Sequence, residues 1–286
     1  MRVLLTNDDG IHADGLQALR RALLQVPDIE LAVIAPDSNR SATARSITIR
    51  RPIWVQEVDF GDGTVGYATD GTPVDCVRFA ALGLIEGFQA ELIVSGINHG
   101  ANLGDDITYS GTVAAALEGV VLGLPAVAVS QLTGTHDWHG GEPMDFERSA
   151  AFTARLVEEI DAAARRQAEG LGTGGRMPLP SGTLLNINTP PGDTEIAGVE
   201  VARLGKRIYR DELALEREEE GRKLFRIYGP APDMRDEDGT DMNAVAEGRI
   251  AVTPLHFDLT DEPGIETLGS YDLARLLAPA AREVEE

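Results

Sequence analysis

The chain is poor in cysteine, in basic charge and in long apolar runs, and each shortage closes off a class of protein. Cys76 is the only cysteine among 286 residues, so no intrachain disulfide can form, and a thiol nucleophile would need an activating histidine that nothing in the sequence places beside it. A reducing cytoplasm suits such a chain. No apolar stretch approaches the roughly 20 residues of a membrane-spanning helix. The opening Met1-Arg2-Val3-Leu4-Leu5-Thr6 turns acidic by Asp8, without the apolar core and cleavage site of a secretory signal. The expectation is a cytoplasmic protein with no membrane partner. Basic residues are outnumbered, 25 Lys and Arg against 47 Asp and Glu, for a formal charge of −22. Such a surface repels nucleic-acid backbones as a whole, and no nucleic-acid polymer is expected as partner. A phosphate group could be held only by local devices, a metal ion or helix N-termini.

What is present reads as alternating strands and helices. Val3 to Thr6 is a short buried strand ending in Asn7-Asp8-Asp9-Gly10, and Leu16, Leu19, Ala22 and Leu23 then recur at helical spacing. Asp14 and Gln17 have the spacing of a capping box at that helix start. A second apolar run, Leu31 to Ala35, stops at Pro36 and opens into Asp37-Ser38-Asn39-Arg40-Ser41. Leu92-Ile93-Val94 repeats the pattern before Ser95-Gly96-Ile97-Asn98-His99-Gly100, and an Ala/Leu-rich helix runs from Gly111 to about Leu122. Ala126 to Val129 and Thr183 to Asn188 read as further buried strands, with a helix from Asp145 to about Ala168 between them. Continuous apolar strands alternating with helices predict a three-layer α/β fold, a mostly parallel sheet covered on both faces, with ligands beyond the carboxyl ends of its strands. After Pro191 the texture changes. Val199-Glu200-Val201 and Phe225 to Tyr228, with a charged segment between, predict a projecting antiparallel hairpin whose middle, Glu212 to Glu220, is solvated.

Adjacent carboxylates at a strand end repel each other unless a cation sits between them, so Asp8 and Asp9 are candidate metal ligands and catalytic groups. Taken alone, Asp-Asp-Gly is also a common turn. Ser41 and Asn98, on loops of the same sheet edge, add a hydroxyl and an amide oxygen suited to one hard divalent cation, Mg²⁺ or Mn²⁺. Ser110, Gly111 and Thr112 begin a helix, where free N–H groups and two hydroxyls can cradle an anion or simply cap the helix. Asn39, Gly96, His99 and Asn102 complete the candidate substrate-binding set. His99 could protonate a leaving group or bind substrate; packing or plain exposure are the competing readings. A metal beside an anion cradle suggests hydrolysis of a phosphate ester. No Gly-x-x-x-x-Gly-Lys-Ser/Thr signature supports nucleoside triphosphate chemistry, and no Gly-x-Gly-x-x-Gly opens the first helix for a dinucleotide.

Several blocks, in order, resemble the SurE family of stationary-phase survival proteins and 5′/3′-nucleotidases: Met1 to Gly10, Ala35-Pro36-Asp37 with Asn39-Arg40-Ser41, Gly71-Thr72-Pro73 with Asp75-Cys76-Val77, Ser95 through Gly119, Leu185 to Asn188, and Val252 to Leu255. The resemblance implies a Rossmann-like core over 1–192 and a C-terminal hairpin and oligomerisation region, with a return segment to the core, over 193–286. It implies a homodimer or homotetramer, a divalent metal on Asp8, Asp9, Ser41 and Asn98, and nucleoside monophosphates as substrates, with polyphosphate for some members. Ser38 stands where the family commonly has Arg, and His99-Gly100-Ala101-Asn102 varies a stretch that often reads Ala-Gly-x-Asn. The segments Gly134 to Asp145 and Glu169 to Ser181 are longer than usual. Two other readings stay open: a nucleotide or phosphate sensor without turnover, and an interaction protein organised by its acidic hairpin. Within the hydrolase reading, direct attack by Asp9 competes with attack by water.

Overall fold

A strand buried on both faces needs apolar side chains pointing both ways, and Val3-Leu4-Leu5 supplies them. This strand lies at the middle of a computed structural model that describes residues 1–133, 144–174, 178–228 and 233–277. The elements are β1 (Arg2–Thr6), α1 (Asp14–Leu23), β2 (Glu30–Pro36), β3 (Val55–Asp59), β4 (Val65–Thr69), α2 (Pro73–Ala81), β5 (Leu92–His99), a 3₁₀ turn (Gly104–Thr108), α3 (Gly111–Val121), β6 (Ala126–Gln131), α4 (Glu147–Ala168) and β7 (Leu184–Thr189). There follow β8 (Gly198–Val201), β9 (Arg207–Ile208), β10 (Glu212–Glu219), β11 (Arg222–Tyr228), β12 (Asp233–Met234), α5 (Asp241–Ala246), β13 (Arg249–Leu255), α6 (Glu262–Gly269) and a second 3₁₀ turn (Leu273–Leu277).

The main sheet has nine strands in the order β3-β4-β2-β1-β5-β6-β7-β13-β8. From β4 to β7 every pairing is parallel, while β3 pairs antiparallel with β4 and β13 antiparallel with β7. Val3 and Leu5 join one core with Leu16, Leu19 and Leu23 of α1 and Val157 and Ile160 of α4. Leu4 points the other way, into a core with Cys76 and Val77 of α2 and Val113 and Ala116 of α3. The expected three-layer sheet is therefore present. Beyond β1 the chain winds first toward β2 and later toward β5, so the strand order reverses at β1. A doubly wound sheet opens its crevice at such a point.

Local expectations fared unevenly. The box foreseen at Asp14 and Gln17 does not form: Ala13 is the N-cap of α1 and makes no side-chain cap bond, because Gln17 donates instead to the Ile11 carbonyl at 2.6 Å. A true capping box joins Thr72 and Asp75 at the start of α2, with proline in its first turn. The hairpin exists, but its strands are the charged segment itself, Glu212–Glu219 against Arg222–Tyr228. Val199-Glu200-Val201 lies elsewhere, as the sheet-edge strand β8 parallel to β13. By contact the chain separates into Met1–His256 and Phe257–Glu286; in the latter, α6 and the turn Leu273–Leu277 contain no buried residue. His136, Trp138 and His139, most of the Gly134 to Asp145 segment and the acidic tail fall outside the described residues. No described helix is long and apolar enough to cross a membrane.

Candidate active site

Three loops leave the carboxyl ends of β1, β2 and β5 and are stitched to one another by short bonds. The fully buried Asn7 braces the first loop: its side-chain N–H donates to the Gly10 carbonyl at 2.9 Å, and its Oδ1 accepts from Gly10 N–H at 3.2 Å. The braced turn places Asp8 at 3% exposure. There Asp8 accepts from the Thr112 hydroxyl and from the Thr112 N–H. A Cβ on Gly111 would stand 2.7 Å from Asp8 Oδ2, so only glycine lets the carboxylate come this close to the start of α3. Burial, with the charge of Asp9 second, pushes Asp8 up to about 6 despite the Thr112 donors. Asp9 is held at both oxygens, by Asn39 Nδ2 at 3.2 Å and by the His99 backbone N–H at 3.0 Å.

The second loop is tied to the first through Arg40 N–H, which donates to the Asp8 carbonyl at 2.7 Å. Ser41 is exposed and enters through its backbone, donating to Asn39 Oδ1 at 2.8 Å. Asn39 thus links Ser41 to Asp9. In the third loop the Asn98 side-chain nitrogen donates to the Gly100 carbonyl at 2.7 Å, which leaves Oδ1 available as a ligand atom. Gly96 has φ +140° and sits so near the Val129 carbonyl that a Cβ would be 2.3 Å from it. It is a backbone pivot of β5.

Other candidates are already engaged within the fold. The His99 ring stacks on Phe146 with centroids 4.8 Å apart, and its Nε2 accepts from Gly15 N–H at 3.4 Å at the start of α1. Asn102 is 7% exposed and faces β6 and β7: its side chain donates to Ser130 Oγ at 2.7 Å, and its carbonyl accepts from Asn186 and Asn188, each at 2.9 Å. Ser110 caps α3, accepting from Val113 N–H at 3.1 Å, and keeps its own hydroxyl proton to donate. The anion already cradled at the start of α3 is Asp8 itself. Cys76 is buried, its thiol pushed up by burial, and it is no nucleophile.

Sequence reasoning passed over the supports. Glu118, 3% exposed, receives Arg45 at 2.7 Å and Arg78 at 3.1 Å and fastens the chain after Ser41 to α2 and α3. A lone glutamate in an otherwise apolar helix was its one signal. Asp241, fully buried, accepts from Gly104 N–H at 2.9 Å and Gly205 N–H at 2.8 Å.

The resulting donor set is all oxygen: two carboxylates, a hydroxyl and an amide. Among the described residues no group of three or more His, Cys, Asp or Glu gathers as a metal site. The mixed oxygen set fits a hard divalent cation, and the repulsion between Asp8 and Asp9 is what such a cation relieves. The family model described as survival protein SurE matches residues 3–211. The 5′-nucleotidase SurE of Rubrobacter xylanophilus is 50% identical over 281 residues, covering 97% of this chain and 99% of its own. That of Herpetosiphon aurantiacus is 42% identical over 271 residues, covering 94% and 98%. The crystal structure of SurE protein from Aquifex aeolicus superposes with a TM-score of 0.72 at 34% identity, covering 97% of this chain and 100% of that one. With the likeness extending through the carboxylate turn and the loops that hold it, the chain belongs to the SurE family.

Proposed function

We propose that this protein is a phosphomonoesterase that hydrolyses nucleoside 5′-monophosphates to nucleoside and phosphate, with a divalent cation, Mg²⁺ or Mn²⁺, held by Asp8, Asp9, Ser41 and Asn98. The observation that carries the reading is the buried, paired carboxylate of Asp8, pushed up to about 6 beside Asp9 at the start of a helix. The relatives' description as 5′-nucleotidases supports the substrate class. Nucleoside 3′-monophosphates and short polyphosphate share the reacting group and belong to the same proposal, as does a homodimer or homotetramer.

When bound, the cation supplies positive charge that draws electron density from phosphorus and makes water acidic enough to attack. The chain's own groups do the rest. Asn39 and the His99 N–H hold Asp9 in one orientation, where its carboxylate can take a proton from the incoming water. In this reading the Ser110 hydroxyl and Gly111 N–H donate to phosphate oxygens as negative charge builds on them. The water oxygen bonds to phosphorus, the ester P–O bond breaks, and the nucleoside oxygen leaves with a proton.

The test is phosphate release from 5′- and 3′-mononucleotides, polyphosphate and an aryl phosphate, with Mg²⁺, Mn²⁺ or chelator, for wild type and Asp9→Asn. Release that needs metal, favours mononucleotides and falls at least a hundredfold in Asp9→Asn, about 2.7 kcal/mol of transition-state stabilisation, is expected. Nucleotide binding without release under any metal would leave a sensor in place of an enzyme.

A further inference from the structure

The loop that leads into α3 is gripped by chain that comes 103 residues later. At one end of the 3₁₀ turn, the buried Asp241 carboxylate receives Gly104 N–H and Gly205 N–H, fastening the turn to the strap Gly205–Tyr209. Two residues on, Asp106 is ion-paired with Arg207, Nε to Oδ2 at 2.6 Å, and accepts from the Tyr209 hydroxyl. Burial and the Asp106 carboxylate push that phenol up to about 12, so it keeps its proton and acts as donor. On its other side, Asp106 is wired to the site. Its carbonyl accepts from Tyr109 N–H at 3.0 Å, and the Tyr109 carbonyl accepts from Ala44 N–H at 3.2 Å, just beyond Ser41. The next residue, Ser110, caps α3, whose Thr112 holds Asp8.

We propose that Asp106 is a positioning residue: clamped by Arg207 and Tyr209, it sets the loop Gly104–Ser110 and thereby the aim of Ser110 toward phosphate and of Thr112 toward Asp8. The Arg207–Asp106 pair is about one-fifth exposed on each side, 20% and 21%, and Asp106→Asn keeps the side chain's size and an oxygen to receive the Tyr209 hydroxyl, so the folding cost of that change should be small. Catalytic alignment is far less forgiving, since a misplacement of about 1 Å can cost roughly a hundredfold in rate. Loosening the clamp should therefore cost turnover more than folding. Asp241 differs: buried with three N–H donors, it is part of the folded core and is unsuitable as a probe.

The inference takes its turnover readout from the phosphohydrolase reading, so the test carries a second readout that does not. In the full chain, Asp106→Asn, Arg207→Met, Tyr209→Phe and the double variant Asp106→Asn/Tyr209→Phe are compared with wild type for kcat and KM on a nucleoside 5′-monophosphate, for affinity toward inorganic phosphate, and for Tm. We expect Asp106→Asn to lower kcat/KM at least tenfold and weaken phosphate binding at least threefold, with Tm within about 2 °C of wild type. Arg207→Lys should recover part of what Arg207→Met loses, and the double variant should be no worse than Asp106→Asn by more than about twofold, as for residues acting as one unit. Kinetics and phosphate affinity within twofold of wild type in all single variants would overturn the proposal, as would losses that simply follow a falling Tm. A wild type inert toward every phosphate ester would defeat the phosphohydrolase reading alone, and the phosphate affinities would still judge Asp106.

Discussion

The carboxylate edge of the sheet and the projecting arm β10–β11 solve opposite problems. At the edge both carboxylates are pinned by neighbouring segments: Asn39 and His99 N–H hold Asp9, Thr112 holds Asp8, and Arg40 N–H holds the Asp8 backbone. In the arm, β10 and β11 pair only with each other among the described residues. Leu213 stands opposite Ile227 and Leu215 opposite Phe225, so one face carries an apolar stripe with exposures of 64, 74, 50 and 45% respectively. The edge concentrates like charge inside a rigid frame, and the arm concentrates apolar surface in water. Each arrangement costs folding free energy, and each is explained by what it can bind: a cation and a phosphate at the edge, an apolar cover on the arm.

The largest effect that separates the two belongs to Asp8. Its pKa, raised from 3.8 to about 6 by burial and by Asp9, makes the ionised group unfavourable to the folded state. The stability linked to it is complete below about pH 4 and is lost as pH rises through 6, amounting to about 3 kcal/mol at pH 7. Asp8→Asn in chelator should therefore melt higher than wild type at pH 7, by about 5 °C or more, with the gap closing as the pH falls below 5. The same variant should lose phosphate release. Thermal melts across pH decide the matter, and an Asp8→Asn protein less stable than wild type at pH 7 would mean that the carboxylate is not strained in place. Gly111→Ala comes next. Its Cβ, 2.7 Å from Asp8 Oδ2, forces apart the carboxylate and the start of α3, and kcat/KM should fall about thirtyfold, near 2 kcal/mol. Activity within threefold of wild type would show that Asp8 does not need that contact.

How far the sequence revealed these two regions follows from the range of the forces involved. Apolar runs halted by Pro36 or opening into polar loops identify β1, β2 and β5, because burial on both faces of a parallel strand leaves a local record. The same loops put Asp8, Asp9, Asn39 and Asn98 on one edge. What stayed hidden depends on partners far along the chain. Thr112 and Asp8 are 104 residues apart, and nothing near Thr112 says that its hydroxyl serves a carboxylate. Asn102 read as a substrate contact because its loop is polar, yet the partners that absorb it, Ser130, Asn186 and Asn188, lie on β6 and β7. In the arm, Glu212 to Glu220 reads as the solvated middle of a hairpin because charge outweighs the alternating Leu213 and Leu215, and Val199-Glu200-Val201 has a strand's pattern without naming its partner β13. Asp106 lay in view within a glycine-rich stretch, but its clamp closes from Arg207 and Tyr209.

The smallest effect on turnover should come from the apolar stripe of the arm, and its smallness is informative. Replacing Leu213 and Ile227 together by Ser removes an opposed apolar pair whose members are 64 and 74% exposed, so a single chain loses little packing. If a second copy covers this stripe, the cost falls on association, at up to about 25 cal/mol for each Å² of apolar surface that the cover removes from water. The double variant should therefore show a lower mass in sedimentation at equal concentration, while kcat changes by less than about twofold, or roughly 0.4 kcal/mol. Unchanged mass would take the stripe out of any assembly between copies. A kcat that fell in step with the mass would mean that the stripe acts on the site through the neighbouring Arg207 and Tyr209, and the separation between edge and arm would then end at Asp106.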